Sequence, residues 1–113
     1  MFKKIVFFTL FCSFGFASSF DYKLKPQKVS ENIWCFFGKT EVPSKDNGGF
    51  MANSCYIKAK DNYILVDTGA NYNFAKQAYE AMQKIEDLKV SIIIITHEHD
   101  DHWMGNSFYK DRF

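Results

Sequence analysis

Long apolar runs, clusters of positive charge and histidine are all scarce in this chain of 113 residues. The one extended apolar stretch, Ile5 to Phe16, is twelve residues without a charge and too short to span a bilayer comfortably as a helix. Lys3 and Lys4 precede it, and Gly15-Phe16-Ala17 supplies small residues where a signal peptidase reads. Residues 1–17 are therefore expected to be a signal peptide, cut after Ala17 or Ser19, which leaves no stable membrane anchor and a periplasmic or secreted product. A lipoprotein is disfavoured, because Cys12 follows the bulky Phe11. Beyond Ala17 the chain carries 12 Lys and Arg against 13 Asp and Glu, and its lysines are scattered singly. A polyanion binder presents a basic face, so nucleic acid is excluded as a partner. Cysteine is nearly absent too. Past the leader only Cys35 and Cys55 remain; an oxidising compartment would let them pair, and apolar strands would equally bury them as thiols. There is no internal repeat, low-complexity segment or interdomain linker, which bounds the chain at one domain.

Ser18 to Ser30 is polar, contains Pro26, and reads as an extended lead-in, with structure expected over 31–113. Ile33-Trp34-Cys35-Phe36-Phe37 is β-prone and stops at Gly38, which predicts a first strand. Thr40 to Gly49 holds Pro43, Ser44, Asp46, Asn47 and a Gly48-Gly49 pair, the composition of a loop. Phe50 to Lys60 and Tyr63 to Asp67 flank Asp61-Asn62, which predicts a tight hairpin, since Asn and Asp tolerate left-handed backbone angles. Phe74, Ala78, Met82 and Ile85 then recur at helical spacing, with polar residues on the other faces. This predicts an amphipathic helix over about 73–85, capped by Asn71 or Asn73. Val90 to Ile95 is a continuous aliphatic run, the pattern of a strand covered on both faces.

That run ends in Thr96-His97-Glu98-His99-Asp100-Asp101-His102, which contains every histidine of the chain. Sheets of this mixed kind place their sites at the carboxyl ends of strands. Neutral imidazoles with a carboxylate are the usual ligands of Zn²⁺, and an open position on such an ion makes water a nucleophile near neutral pH. His97 and His99, two residues apart after an extended strand, can point to one side and share an ion; Asp101 and His102 face a second position if the loop turns after His99. The helical His-Glu-x-x-His motif of zinc proteases is excluded, because Asp101 stands four residues after His97.

Thr96-His97-x-His99-x-Asp101-His102, following an aliphatic strand and the earlier Leu65-Val66-Asp67-Thr68-Gly69, resembles the metallo-β-lactamase superfamily over about residues 29–106. The resemblance implies an α+β fold, the first half of a four-layer αββα sandwich, mostly one mixed sheet with a covering helix. It implies one or two Zn²⁺ ions, His97 and His99 on the first, and Asp101 and His102 on the second. Asp101 is also implied as the catalytic residue that receives or delivers a proton, and Asp67 as a support of the ligand loop through hydrogen bonds. The activity implied is hydrolysis of a small-molecule substrate, a β-lactam, a thioester or another ester.

Three departures accompany the resemblance. Trp103 and Met104 are bulky where the family often has smaller residues before its glycine, here Gly105; they either reshape a pocket floor or fill core. The Thr40 to Gly49 loop corresponds either to a substrate-covering flap or to ordinary surface. The family's further ligands, a downstream histidine, a bridging Asp or Cys and a final histidine, belong to a second half that does not occur in this sequence. The expectation is thus an amino-terminal fragment of an exported zinc hydrolase, inactive alone, with the missing half as its partner. The alternative is a non-enzymatic truncated relic with weak metal binding.

Overall fold

A computed structural model describes residues 18–112; the expected signal peptide lies outside them. Five strands form one mixed sheet in the order β1 (Gln27–Ser30), β2 (Ile33–Phe36), β3 (Ser54–Lys58), β4 (Asn62–Val66) and β5 (Lys89–Ile94). The first four pair antiparallel, and β5 joins β4 in parallel after a crossover through helix α1 (Tyr72–Gln83). Two single-turn helices follow, α2 (Asp100–Trp103) and α3 (Asn106–Tyr109). Among the described residues no helix is long and apolar enough to cross a membrane.

The sheet alternates its side chains between two faces. Phe36, Tyr56, Tyr63 and Leu65 turn toward α1 and meet Phe74, Ala78 and Met82 of the helical stripe predicted from spacing, while its fourth member, Ile85, lies past the end of α1 and is 48% exposed; Phe108 and Tyr109 of α3 close the cluster. Each large apolar side chain buried there contributes about 1.5–3 kcal/mol. The rings pack edge to face, as in Phe36 on Tyr56 and Tyr22 on Phe74, the arrangement their quadrupoles favour. Asn71 caps α1, its side-chain oxygen accepting the Phe74 amide at 2.9 Å.

Four expectations need correction. The lead-in is not unstructured to its end, because Gln27–Ser30 pairs with β2 as an edge strand; its polar composition suits an edge exposed to water. The first hairpin strand starts at Ser54 and not at Phe50, since the Asn53 side chain takes the Gly38 amide at 3.0 Å in place of a ladder bond. The hairpin turn falls one residue earlier than Asp61-Asn62, with Asn62 already in β4 and the Ala59 amide donating to its carbonyl at 2.9 Å. Finally, β5 is not covered on both faces. It is an edge strand, and Ile92 and Ile94 remain 51% and 47% exposed on the side away from α1. Ile57, Ile64 and Val66 lie on that same face by alternation and are only half-buried.

The cysteines are resolved in favour of pairing. Cys35 and Cys55 stand opposite one another in β2 and β3 and form a disulfide, with Cα atoms 4.1 Å apart. Antiparallel neighbours at a close-spaced position bring two Cβ atoms within disulfide reach without backbone movement.

Candidate metal centre

Because β5 runs parallel to β4, the carboxyl ends of both strands lie at one end of the sheet. Asp67 leaves β4 there, and Thr96 and the histidines leave β5 beside it. Asp67 has φ +59, a left-handed conformation that Asp tolerates better than most side chains. Its amide donates to the Ile94 carbonyl at 2.8 Å. Its carboxylate, buried within the structure, accepts three bonds: Oδ1 from the Thr96 amide at 2.8 Å, and Oδ2 from the Thr96 hydroxyl at 2.5 Å and from His102 Nδ1 at 2.8 Å. Burial pushes the Asp67 carboxyl up, and the Thr96 hydroxyl, the Thr96 amide and His102 together outweigh it, holding the group below the usual carboxylate range.

A carboxylate only accepts, so the proton of this pair sits on His102 Nδ1 and the lone pair of the neutral ring is left at Nε2. Asp67 thus ties Thr96 and His102 together through hydrogen bonds. Thr96 contributes both of its donors, amide and hydroxyl, to the same clamp, a function that its place in the motif alone does not reveal.

The histidine loop turns at His99, where α2 begins, and the His102 amide donates to the His99 carbonyl at 3.0 Å. The turn gathers all three imidazoles. The ring of His97 lies 4.1 Å from that of His99 and 4.9 Å from that of His102, centroid to centroid, both contacts edge-on. Asp101 sits in the first turn of α2, half-buried, and with Asp100, Pro43, Gly49, Met51, Ala70 and Met104 lines a cavity of about 220 Å³. The donor chemistry is that of a zinc site, three imidazoles and a carboxylate in one loop. Among the described residues, however, no group of three or more His, Cys, Asp or Glu side chains is arranged to hold a metal ion. The imidazoles meet edge to edge, His97 between His99 and His102.

Met104 and the Thr40 to Gly49 loop, through Pro43 and Gly49, border the cavity beside Asp101, so Met104 shapes a pocket wall. Trp103 is 40% exposed and donates its indole N–H to the Glu98 carbonyl at 3.0 Å, which braces the loop from outside.

The turn after Asp67 is laced to the end of α2. The Thr68 amide donates to the His102 carbonyl at 2.9 Å and the Gly105 amide to the Gly69 carbonyl at 2.9 Å; the Thr68 hydroxyl donates to Asn106 Oδ1 at 2.8 Å. Gly105 permits this approach, because a Cβ there would lie 2.2 Å from the Thr68 carbonyl oxygen. Gly105→Ala is expected to cost about 2 kcal/mol as backbone is forced apart, read as a lower urea midpoint at unchanged slope. An unmoved midpoint would mean that the turn yields freely.

The family model of the metallo-beta-lactamase superfamily matches residues 47–113. Among solved structures, the chain is similar to the metallo-beta-lactamase FIM-1 from Pseudomonas aeruginosa in its mono-zinc form, with a TM-score of 0.62 and 18% identity over 79% of this chain and 38% of that one. It is also similar to a metallo-beta-lactamase from Pontibacter korlensis, with a TM-score of 0.63 and 19% identity over 79% of this chain and 40% of that one. No match was found among curated proteins. Identities this low speak for the fold, and the chain spans 38–40% of the length of these two structures. With more than half of its residues inside the family match and its mixed sheet aligned on solved members, the chain belongs to the metallo-beta-lactamase superfamily.

Proposed function

We propose that the chain is the amino-terminal part of an exported, zinc-dependent hydrolase, with His97, His99, Asp101 and His102 as its share of the metal ligands. The observation that carries this reading is the packing of three imidazoles at the end of β5, with Asp67 engaging Nδ1 of His102 so that Nε2 is free to donate. Held by these residues, zinc would supply Lewis acidity and would acidify a water molecule near neutral pH. The chain's own part is to orient: Asp67 fixes the tautomer and plane of His102, Thr96 fixes Asp67, and Asp101, in the lining of the cavity, offers a carboxylate to take up or return a proton. An ester, thioester or β-lactam with an apolar substituent suits that cavity. The Cys35–Cys55 disulfide supports export, since such bridges persist in oxidising compartments.

A second reading is favoured by one observation. The absence of a complete metal-holding group among the described residues fits a relic with weak metal binding and no turnover. Catalytic zinc normally has three protein ligands plus water, and the remaining ligands of the family would have to come from elsewhere.

Titration of the purified chain with Zn²⁺, followed by assays on a chromogenic cephalosporin and on a thioester, decides between the two. Binding is expected, and His99→Ala is expected to weaken it by about ten-fold or more, as removal of a direct ligand should. Zinc-dependent hydrolysis lost in His99→Ala would dismiss the relic; an affinity equal in both chains would dismiss the ligand assignment.

A further inference from the structure

The ladder between β3 and β4 ends with Cys55 opposite Val66. One step further along each strand stand Ser54 and Asp67, both buried. Here Asp67 turns into its left-handed conformation; its amide still makes the β4–β5 ladder bond to the Ile94 carbonyl. The Asp67 carbonyl is left without a ladder partner, and the Ser54 hydroxyl donates to it at 2.7 Å. A side chain thus replaces a backbone bond at the point where the chain bends toward the histidines.

Ser54 is itself held in place. It lies opposite Phe36 in the β2–β3 register, one residue from the disulfide that joins Cys55 to Cys35 and next to Asn53, which takes the Gly38 amide. Asp67 is consequently gripped at three points: its amide by β5, its carbonyl by Ser54 and its carboxylate by Thr96 and His102. Asp tolerates this conformation but does not require it, so with the carbonyl released the backbone can relax toward ordinary strand angles. The carboxylate would then swing away from the Thr96 amide.

We propose that Ser54 is a positioning residue for the histidine loop: its hydroxyl fixes the Asp67 peptide and so aims the Asp67 carboxylate, with the Cys35–Cys55 bridge keeping Ser54 in register. The link to metal binding rests on the functional reading above; the aim of the carboxylate does not.

The test is amide exchange by NMR on the metal-free chain, with Co²⁺ titration as a second readout. Ser54→Ala is expected to speed exchange of the Thr96 amide roughly ten-fold while amides in the middle of α1 keep their rates, the mark of a local opening. Co²⁺ affinity is expected to fall about ten-fold, as for loss of a residue supporting a ligand, and Ser54→Thr, which keeps the hydroxyl, recovers both. In the unaltered chain the Ser54 hydroxyl proton is expected to exchange slowly enough to be observed. An unchanged Thr96 rate in Ser54→Ala, an equal acceleration throughout α1, or a freely exchanging Ser54 hydroxyl in the unaltered chain overturns the proposal. If no form binds Co²⁺, the functional reading fails, while Thr96 exchange still decides the role of Ser54.

Discussion

Asp67→Ala is expected to destabilise the chain by about 3 kcal/mol, because it strips the Thr96 amide, the Thr96 hydroxyl and His102 of one shared buried acceptor. It also leaves alanine at φ +59, where a Cβ is poorly tolerated and no polar side chain compensates. Asp67→Asn separates charge from shape. Since the folded carboxyl titrates below its ordinary value of 3.8, its charge contributes stability that is fully present above that value and is lost as pH falls through the lower, folded value. The free-energy difference between the unaltered chain and Asp67→Asn is therefore expected to be constant near neutrality and to shrink below about pH 4. Urea unfolding of metal-free protein at a series of pH values measures it. A difference that persists unchanged into strong acid would show that the ionised carboxylate is not what holds the turn.

Reduction of the Cys35–Cys55 disulfide is expected to have the next largest effect. The bridge closes a loop of 20 residues, for which the chain-entropy account gives about 3 kcal/mol. In a domain of this size that is a large share of the total stability. A reducing agent should lower the melting temperature of the unaltered chain and leave a Cys35→Ala/Cys55→Ala double variant, already at the lower value, unmoved. Equal melting of oxidised and reduced chains would mean that the β2–β3 ladder is self-sufficient. Cys35 is 5% exposed and sits in the middle of that ladder, so re-oxidation should restore the original value only after the strands have paired correctly.

Local signals in the sequence located most of the elements. Apolar spacing at Phe74, Ala78 and Met82 defines α1, and Asn71 caps it as its chemistry suggests. The turn formers of Thr40 to Gly49 do mark a segment without strand or helix. The histidine loop follows β5, as an aliphatic run ending in polar residues implies. What escaped depends on partners distant along the chain. The polar Gln27–Ser30 becomes a strand only because β2 is there to pair with it. The bridge between Cys35 and Cys55 follows from a register that neither cysteine encodes alone. The aliphatic run of β5 shows that its residues prefer burial, but not which of its faces α1 will cover; Ile92 and Ile94 turn out to be on the open one. Ser54 looks like any serine in a strand until Asp67 turns out of the ladder beside it.

The parallel docking of β5 on β4 has a further consequence, one of timing. The bonds between Asp67 and Thr96 join residues 29 apart in sequence, with the whole of α1 between them. Contacts so far apart form late, after the intervening loop entropy has been overcome, whereas the β3–β4 hairpin and α1 can assemble locally. The clamp of Asp67 on Thr96 and His102 is thus expected to close after the local elements have formed, and until then the histidine loop, compact by its own turn, stands unbraced.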